Sequence, residues 1–303
     1  MISSGASQRT SLRRRWPVSA PNETVRWTYL ERVHGILLKL PLRVTEAGVQ
    51  EWLARLEDFE REKRFSEASV IENWLDVAFG RDADDKKRPL DVRVHRRLGE
   101  MYAACGQASD AARQFELARQ LAPRDIFLLR RLGKAYLDMS DAPKAKTILE
   151  TIEELDKTAF EKNAENAALK ARWCEQQVNL NGARGVLGKA YANIPTSYYL
   201  GDRLGQILVA LGKRDEAIDV YRQVAGTVND LREQNVWTSA TALSAAIVIG
   251  DKEGIERALD RLRERRPTRG ELDSIERGVS ELLKHLPDDA EVMKKLRAME
   301  KRT

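Results

Sequence analysis

The sequence predicts an all-α protein, an α-solenoid built from repeated helix pairs. Helix-forming residues dominate the 303-residue chain, aromatic residues make up only 6% of it, and no Val/Ile/Thr-rich segment alternates with polar residues as a strand would. A skeleton also recurs, because a Leu-Gly pair with a Tyr three residues after the Gly stands at 98–102 and again at 132–136. Self-similarity at a fixed period is the sequence signature of a repeat protein.

The first clear repeat follows His95 and is predicted to form two packed helices. Its apolar and small residues have the spacing L-G-x2-Y, then A-x3-F, an Ala and a closing Pro, and they are Leu98, Gly99, Tyr102, Ala111, Phe115, Ala118 and Pro123. This spacing resembles the tetratricopeptide repeat (TPR) family, which usually has Trp where this chain has His95. The resemblance implies a right-handed α-solenoid of TPR-like helix pairs, in which Gly99 and Ala111 are small because the two helices cross closely.

Further repeats follow at nearly constant intervals and set the predicted domain organisation. The repeats start near residues 92, 126, 164, 198 and 236, so two of the connections are about one helical turn longer than the others. We predict a disordered basic tail (1–21), N-terminal helices with a degenerate repeat (22–91), five TPR-like repeats (92–267) and C-terminal capping helices (268–303). Capping helices are expected because an end repeat must cover its apolar face with a polar one.

The positive charge of the chain is concentrated at its N-terminus. The net charge is +5, and residues 1–48 hold eight basic and three acidic residues, so the rest of the chain is neutral. Arg13, Arg14 and Arg15 stand beside Trp16 and could contact the phosphates of a nucleic acid. The alternative function is therefore a nucleic-acid-associated assembly factor that uses this segment. A solvated tail is the simpler interpretation, and a Ser/Arg-rich targeting segment is a third.

Nothing in the sequence predicts an enzyme, a cofactor or a metal site. No Gly-rich phosphate loop, HExxH or GxSxG motif occurs. Cys105 and Cys174 lie far apart, which predicts a reducing cytoplasmic location and no disulfide framework, and His34, His95 and His285 are scattered. The most apolar run is about half the length that a membrane span needs, so no membrane association is predicted.

A partner-binding groove is predicted on the first helices of the pairs, because these helices line the concave side of stacked repeats. The exposed face is basic in the first three repeats and aromatic in the last two, and the predicted groove residues are Arg93, Arg96, Arg130, Lys134, Arg172, Tyr199 and Trp237. Such a groove suits a protein or peptide with acidic residues and an apolar anchor. In the alternative interpretation Glu100 and Glu175 neutralise the arginines of a solvated face, and Trp237 could also pack inward.

Residues 164–286 show a second, narrower resemblance. The segments "KARW", "PTSYYLGDRL" and "VWTSATALSAAIVIGDKEG" are similar to the TRAF-binding TPR domain of apoptosis signal-regulating kinases and of bacterial proteins. The chain departs from that domain, because Leu-Gly-Asp-Arg follows the Tyr-Tyr pair in place of Pro-Gly-Ile-Asn, and no kinase domain is present. The resemblance implies a non-enzymatic scaffold or adaptor in a signalling, regulatory or bacterial defence complex. It implies no kinase activity.

Overall fold

The computed structural model of the chain describes residues 92–104, 106–267, 269–286 and 290–300. The chain divides into two compact units, Met1–Gly106 and Gln107–Thr303. Every regular element in the described ranges is a helix, which confirms the predicted all-α solenoid of helix pairs. The predicted tail and N-terminal helices (1–91) lie outside the described residues, and so do Cys105 and the three arginines of the tail.

The described residues form thirteen helices. In the first unit, α1 spans Val92–Ala104. In the second unit the helices are α2 (Ala108–Leu121), α3 (Ile126–Asp138), α4 (Ala142–Leu155), α5 (Ala159–Lys162), α6 (Ala164–Gln176), α7 (Leu180–Asn193), α8 (Tyr198–Ala210), α9 (Arg214–Asp230), α10 (Val236–Ile249), α11 (Lys252–Arg265), α12 (Arg269–Leu283) and α13 (Ala290–Glu300).

The helices of the second unit pack as pairs, and the pairs stack. Helix α3 packs against α4, α6 against α7, α8 against α9, and α10 against α11. The first helices of these pairs, α3, α6, α8 and α10, also contact one another in that order. Helices α12 and α13 pack together and contact α10 and α11 respectively, where Leu272 and Leu296 join the core around Leu243 and Leu259.

The two longer connections have different structural causes. Between α4 and α6 the extra residues form the one-turn helix α5, whose Ala159 and Phe160 are buried. Between α8 and α10 the second helix of the pair is itself longer, since α9 has 17 residues where α2, α4 and α7 have 14 each. The extra turn thus becomes a separate four-residue helix in one connection, whereas in the other a helix is lengthened by three residues.

Glycines of the repeated Leu-Gly pairs lie where two helices approach closely. A Cβ added to Gly205 would lie 2.4 Å from Cε2 of Tyr221, on the facing helix α9. A Cβ on Gly133 would lie 3.1 Å from Cδ2 of Leu169 and 3.3 Å from Cγ2 of Ile148. The repeated glycine therefore serves helix packing, because a larger residue would force the neighbouring side chains apart.

Side-chain caps fix the starts of seven helices in the second unit. In each, an oxygen of the residue before the helix accepts a hydrogen bond from a backbone N–H in the first turn. These residues are Asp125, Asp141, Asn163, Asn179, Ser197, Asn235 and Asp251. Asn235 and Thr238 form a complete capping box that fixes the entry into α10.

Candidate partner-binding surface

The first helices of the stacked pairs form one surface of the second unit. The apolar side of each helix faces the core, so the other side carries polar and aromatic residues. We call it the first-helix surface, and the side chains that line it are Phe127, Arg130, Lys134, Asp138, Glu165, Arg172, Glu175, Tyr199, Asp202, Arg203, Gln206 and Trp237. Five of the seven predicted groove residues belong to it. The other two, Arg93 and Arg96, are half-buried on α1 in the first unit.

The predicted basic residues of α3 and α6 lie together, and each forms an ion pair. Arg130 pairs with Glu165, which is at the start of the neighbouring first helix. One carboxylate oxygen of Asp138 lies 2.7 Å from a guanidinium nitrogen of Arg172, and the other lies 3.4 Å from Nζ of Lys134. The side chain of Arg130 is only 13% exposed, and burial lowers the pKa of its guanidinium. The arginines are therefore neutralised, but by Asp138 and Glu165 and not by the two glutamates named from the sequence.

A second polar network connects α6 to α8. A guanidinium nitrogen of Arg203 lies 2.6 Å from Glu175, and another donates to Oε1 of Gln206 at 2.7 Å. The amide nitrogen of Gln206 then donates to Asp202 at 3.0 Å. Glu175 thus neutralises an arginine, as one interpretation of the sequence proposed, but that arginine is Arg203. Glu100, the other glutamate proposed as a counter-charge, forms an ion pair with Arg97 on its own helix α1.

Asp202 is the most perturbed carboxylate on this surface. The phenol of Tyr221 donates to it at 3.0 Å, and the amide nitrogen of Gln206 donates to it from the same helix. Burial raises the pKa of Asp202 from 3.8 to about 6, against the opposing effects of the Tyr221 hydrogen bond and the charge of Arg203. The repeat spacing placed Asp202 and Gln206 on the outward face of their helix but did not single them out as binding residues.

One signal in the sequence could have pointed to Asp202. Tyr221 occupies the second-helix position that Phe115 has in the first clear repeat. Its ring is fully buried against Gly205, and a buried phenol needs a hydrogen-bond partner. A Tyr in place of a Phe therefore predicts a nearby acceptor, although the repeat spacing does not say which helix supplies it.

The two predicted aromatic residues are exposed. Tyr199 is 43% exposed and Trp237 is 45% exposed, and each is the second residue of its helix. Trp237 does not pack inward, which was the other interpretation of its position. Its indole N–H has no hydrogen-bond partner among the described residues. Burial raises the pKa of the Tyr199 hydroxyl. The charges of Arg203 and Glu165 also act on this hydroxyl, so Tyr199 lies near the ionic network.

Known structures with similar architecture identify the fold. A tetratricopeptide repeat protein from Parabacteroides merdae matches with a TM-score of 0.57 and 11% sequence identity, over 79% of this chain and 86% of that protein. This chain has the TPR fold. A TPR protein of Thermus thermophilus, TTC0263, matches with a TM-score of 0.41 and 19% sequence identity, over 69% of this chain and 98% of that protein. The pilF protein of Pseudomonas aeruginosa matches with a TM-score of 0.48 and 13% sequence identity, over 75% of this chain and 96% of that protein. No protein-family model matches the chain, and no curated protein matches it.

The TPR fold accounts for the openness of the first-helix surface, because stacked helix pairs leave one row of helices uncovered along its length. Within the part of the chain that the structure describes, no group of three or more His, Cys, Asp or Glu side chains could hold a metal ion. None of the helices there combines the length and the apolar character that crossing a membrane requires. The residues that stand out on this surface are three exposed aromatic side chains, Phe127, Tyr199 and Trp237, and a set of connected charges.

Proposed function

We propose that this TPR-fold protein is a non-enzymatic scaffold, or adaptor, that binds a segment of a partner protein along its first-helix surface. The observation that carries the proposal is the exposure of Tyr199 and Trp237 on the contacting helices α8 and α10. Exposed aromatic side chains on a rigid helix lose little conformational entropy on binding, and they are enriched among the residues that dominate binding energies. An apolar side chain of the partner would pack against the Trp237 ring.

The charged part of the surface bears on how the partner associates. An acidic partner segment, as the sequence predicts, would meet Arg130, Lys134 and Arg172 only in exchange for Glu165 and Asp138, which already bind them. Such exchange of exposed ion pairs contributes little net affinity, but it steers association and fixes orientation. We therefore assign the affinity to the aromatic residues and the association rate to the charges.

The biological setting of the proposed scaffold follows from the narrower resemblance of residues 164–286. That resemblance favours a signalling, regulatory or bacterial defence complex, and the two widely separated cysteines favour a cytoplasmic location. Affinity purification of the tagged full chain from its native host, followed by mass spectrometry, would identify the partner and test this setting.

The central test is the substitution Trp237→Ala, measured as binding kinetics against the purified partner. We expect dissociation to become faster and the affinity to fall by about 2 kcal/mol or more, because an anchor residue is lost. The matched control is Leu121→Ala, since Leu121 is equally exposed, at 45%, but belongs to α2, outside the first-helix surface. Circular dichroism checks that both variants are folded. If folded Trp237→Ala binds as tightly as the parent, the first-helix surface is not the binding site.

A second test addresses steering by charge. Lys134 is exposed and pairs only within its own helix, so Lys134→Glu should leave the fold intact. If the partner segment is acidic, this variant should associate more slowly, and the salt dependence of the association rate should change. Arg130→Glu is less suitable, because it would place a buried acidic side chain beside Glu165 and destabilise the protein. An unchanged association rate for Lys134→Glu at low salt would exclude steering by this part of the surface.

A further inference from the structure

One carboxylate of the first-helix surface has no ion-pair partner among the described residues. Asp138, Glu165 and Glu175 each bind an Arg. Asp202, in contrast, forms no ion pair with any of the residues that the structure describes. Since the other acidic residues on this surface are matched by cations from a neighbouring first helix, Asp202 stands out as the acidic group without one.

The surroundings of Asp202 do not supply the missing cation. Its two hydrogen-bond donors, Tyr221 and Gln206, are both neutral. The nearest cation, Arg203, binds Glu175 and the amide oxygen of Gln206, which leaves the Gln206 amide nitrogen directed at Asp202. Helix α10 cannot provide a cation, because Val236–Ile249 contains no charged residue. A carboxylate has about four acceptor positions, so about two remain for a further donor.

We infer that the partner supplies this cation: a Lys or Arg side chain of the bound segment binds Asp202 beside the ring of Tyr199, next to the apolar residue that packs on Trp237. The inference rests on the proposed function and specifies the chemistry of its partner. Tyr199 precedes Asp202 by three residues and so lies on the same side of α8. An exposed phenol ring beside a carboxylate suits a cation, because the ring face attracts positive charge and the carboxylate neutralises it.

The protonation of Asp202 couples this recognition to pH. Burial raises its pKa to about 6, and the titratable groups that act on it are Arg203 on α8 and Tyr221 on α9. A bound cation favours the ionised carboxylate, so binding at a pH below this value requires the loss of a proton. Partner binding through Asp202 should therefore be stronger at pH 7.5 than at pH 5.0.

The experiment is selection of random 12-residue peptides displayed on phage against the folded full chain, repeated with Trp237→Ala and Asp202→Asn. We expect the parent to select peptides with a Lys or Arg close to an apolar residue. Asp202→Asn should keep the apolar preference and lose the basic one. Selected peptides without Asp, Glu or His are then synthesised and titrated by fluorescence anisotropy, and each should bind Asp202→Asn about tenfold more weakly, as the loss of one hydrogen bond to a charged group predicts.

The pH dependence gives a readout that a purely structural role of Asp202 would not produce. The parent should bind these peptides about fivefold more weakly at pH 5.0 than at pH 7.5, the change expected if a nearby cation lowers the pKa of a carboxyl by about one unit. Asp202→Asn should bind equally at both values. Tyr199→Leu should also weaken the selected basic peptides, whereas the apolar preference at Trp237 should remain.

The outcomes separate this inference from the proposed function. If no selected peptide depends on Trp237, the proposed binding surface is wrong and the inference falls with it. If binding depends on Trp237 but the basic residue is absent, or is equally preferred by Asp202→Asn, the proposed function stands and the cation site is wrong. Selection of acidic residues in place of basic ones would also overturn the inference.

Discussion

Asp202 lowers the stability of the folded protein at neutral pH, because its carboxyl group has a higher pKa in the fold than in the unfolded chain. The folded pKa is about 6 and the unfolded value is 3.8, so the folded state binds the proton more tightly. Stability should therefore decrease as the pH rises from 4 through 6, and the decrease should be complete above pH 7.

The substitution Asp202→Asn should remove this dependence. Asn keeps the shape and can still accept a hydrogen bond, so we expect the free energy of unfolding at pH 7.5 to rise by about 1–3 kcal/mol. Urea denaturation at pH 5.0 and pH 7.5 measures the effect. In the parent, Asp202 should make the free energy of unfolding larger at pH 5.0 than at pH 7.5. In the variant this contribution is absent, so the difference between the two pH values should change by that amount. A variant as pH-dependent as the parent would show that Asp202 titrates near its ordinary value.

Sequence reasoning located side chains on this surface better than it identified their partners. The repeat spacing was enough to place Arg130, Lys134 and Arg172 on first helices with the same outward face. The pairings could not be predicted, because each depends on how far one first helix is shifted along the next. Both of these pairs join α3 to α6, so a single shift sets them: Arg130 binds Glu165 at the start of α6, and Arg172 binds Asp138 at the end of α3.

At the scale of the helix pair, the close crossing of α8 and α9 depends on a glycine. Gly205→Ala should destabilise the protein by about 1–3 kcal/mol, because the added Cβ would overlap the ring of Tyr221 and overpack the pair. The control is Gly226→Ala on α9, where a Cβ would meet nothing within 4 Å. That change should be neutral or stabilise by about 0.5–1 kcal/mol through helix propensity. Chemical denaturation of both variants makes the comparison, and equal midpoints would contradict the assigned crossing.

The elements themselves were largely predictable from the sequence, because caps and breakers stand at fixed offsets in each repeat. The start of α4, for example, is marked by Asp141 followed by Pro143 in the first turn. What could not be predicted was the use of the extra residues in the two longer connections. A spacing of 38 residues between repeat starts is compatible with an additional one-turn helix or with a lengthened second helix. Only the packing of the extra residues decides between them. Phe160 is buried and holds α5 in place, while Val228 is buried and extends α9.

At the scale of the whole molecule, the basic N-terminal segment provides a test of the alternative function. Deleting residues 1–21 should leave the thermal midpoint nearly unchanged, because this segment has no apolar pattern from which packing could arise. It should also leave partner binding at the first-helix surface unchanged. Differential scanning calorimetry and the binding kinetics used for Trp237→Ala provide both measurements.

Nucleic-acid binding by the same two chains separates the alternatives. If the intact chain binds single- or double-stranded nucleic acid at physiological salt, and the truncated chain does not, the basic segment binds phosphates and the assembly-factor function gains support. Such binding should weaken steeply with salt, because counterions are released from the phosphates. An apolar-anchored protein partner should show a much shallower salt dependence. If the intact chain binds no nucleic acid, the alternative is wrong.

Tyr221 joins the interior of the α8–α9 pair to the first-helix surface, since its ring packs on Gly205 and its hydroxyl holds Asp202. Substitutions at Asp202, Gly205 and Tyr221 should therefore be coupled during evolution. A lineage that replaced Asp202 with an apolar residue would leave the buried phenol with only the backbone carbonyl of residue 202, at 3.2 Å, as an acceptor, and Phe at position 221 would then be favoured. A lineage that enlarged Gly205 would have to shrink the ring, and would lose the hydroxyl as well. Sequences related to this one should accordingly vary at these positions in a correlated manner, with Tyr at 221 accompanying an acidic or amide residue at 202.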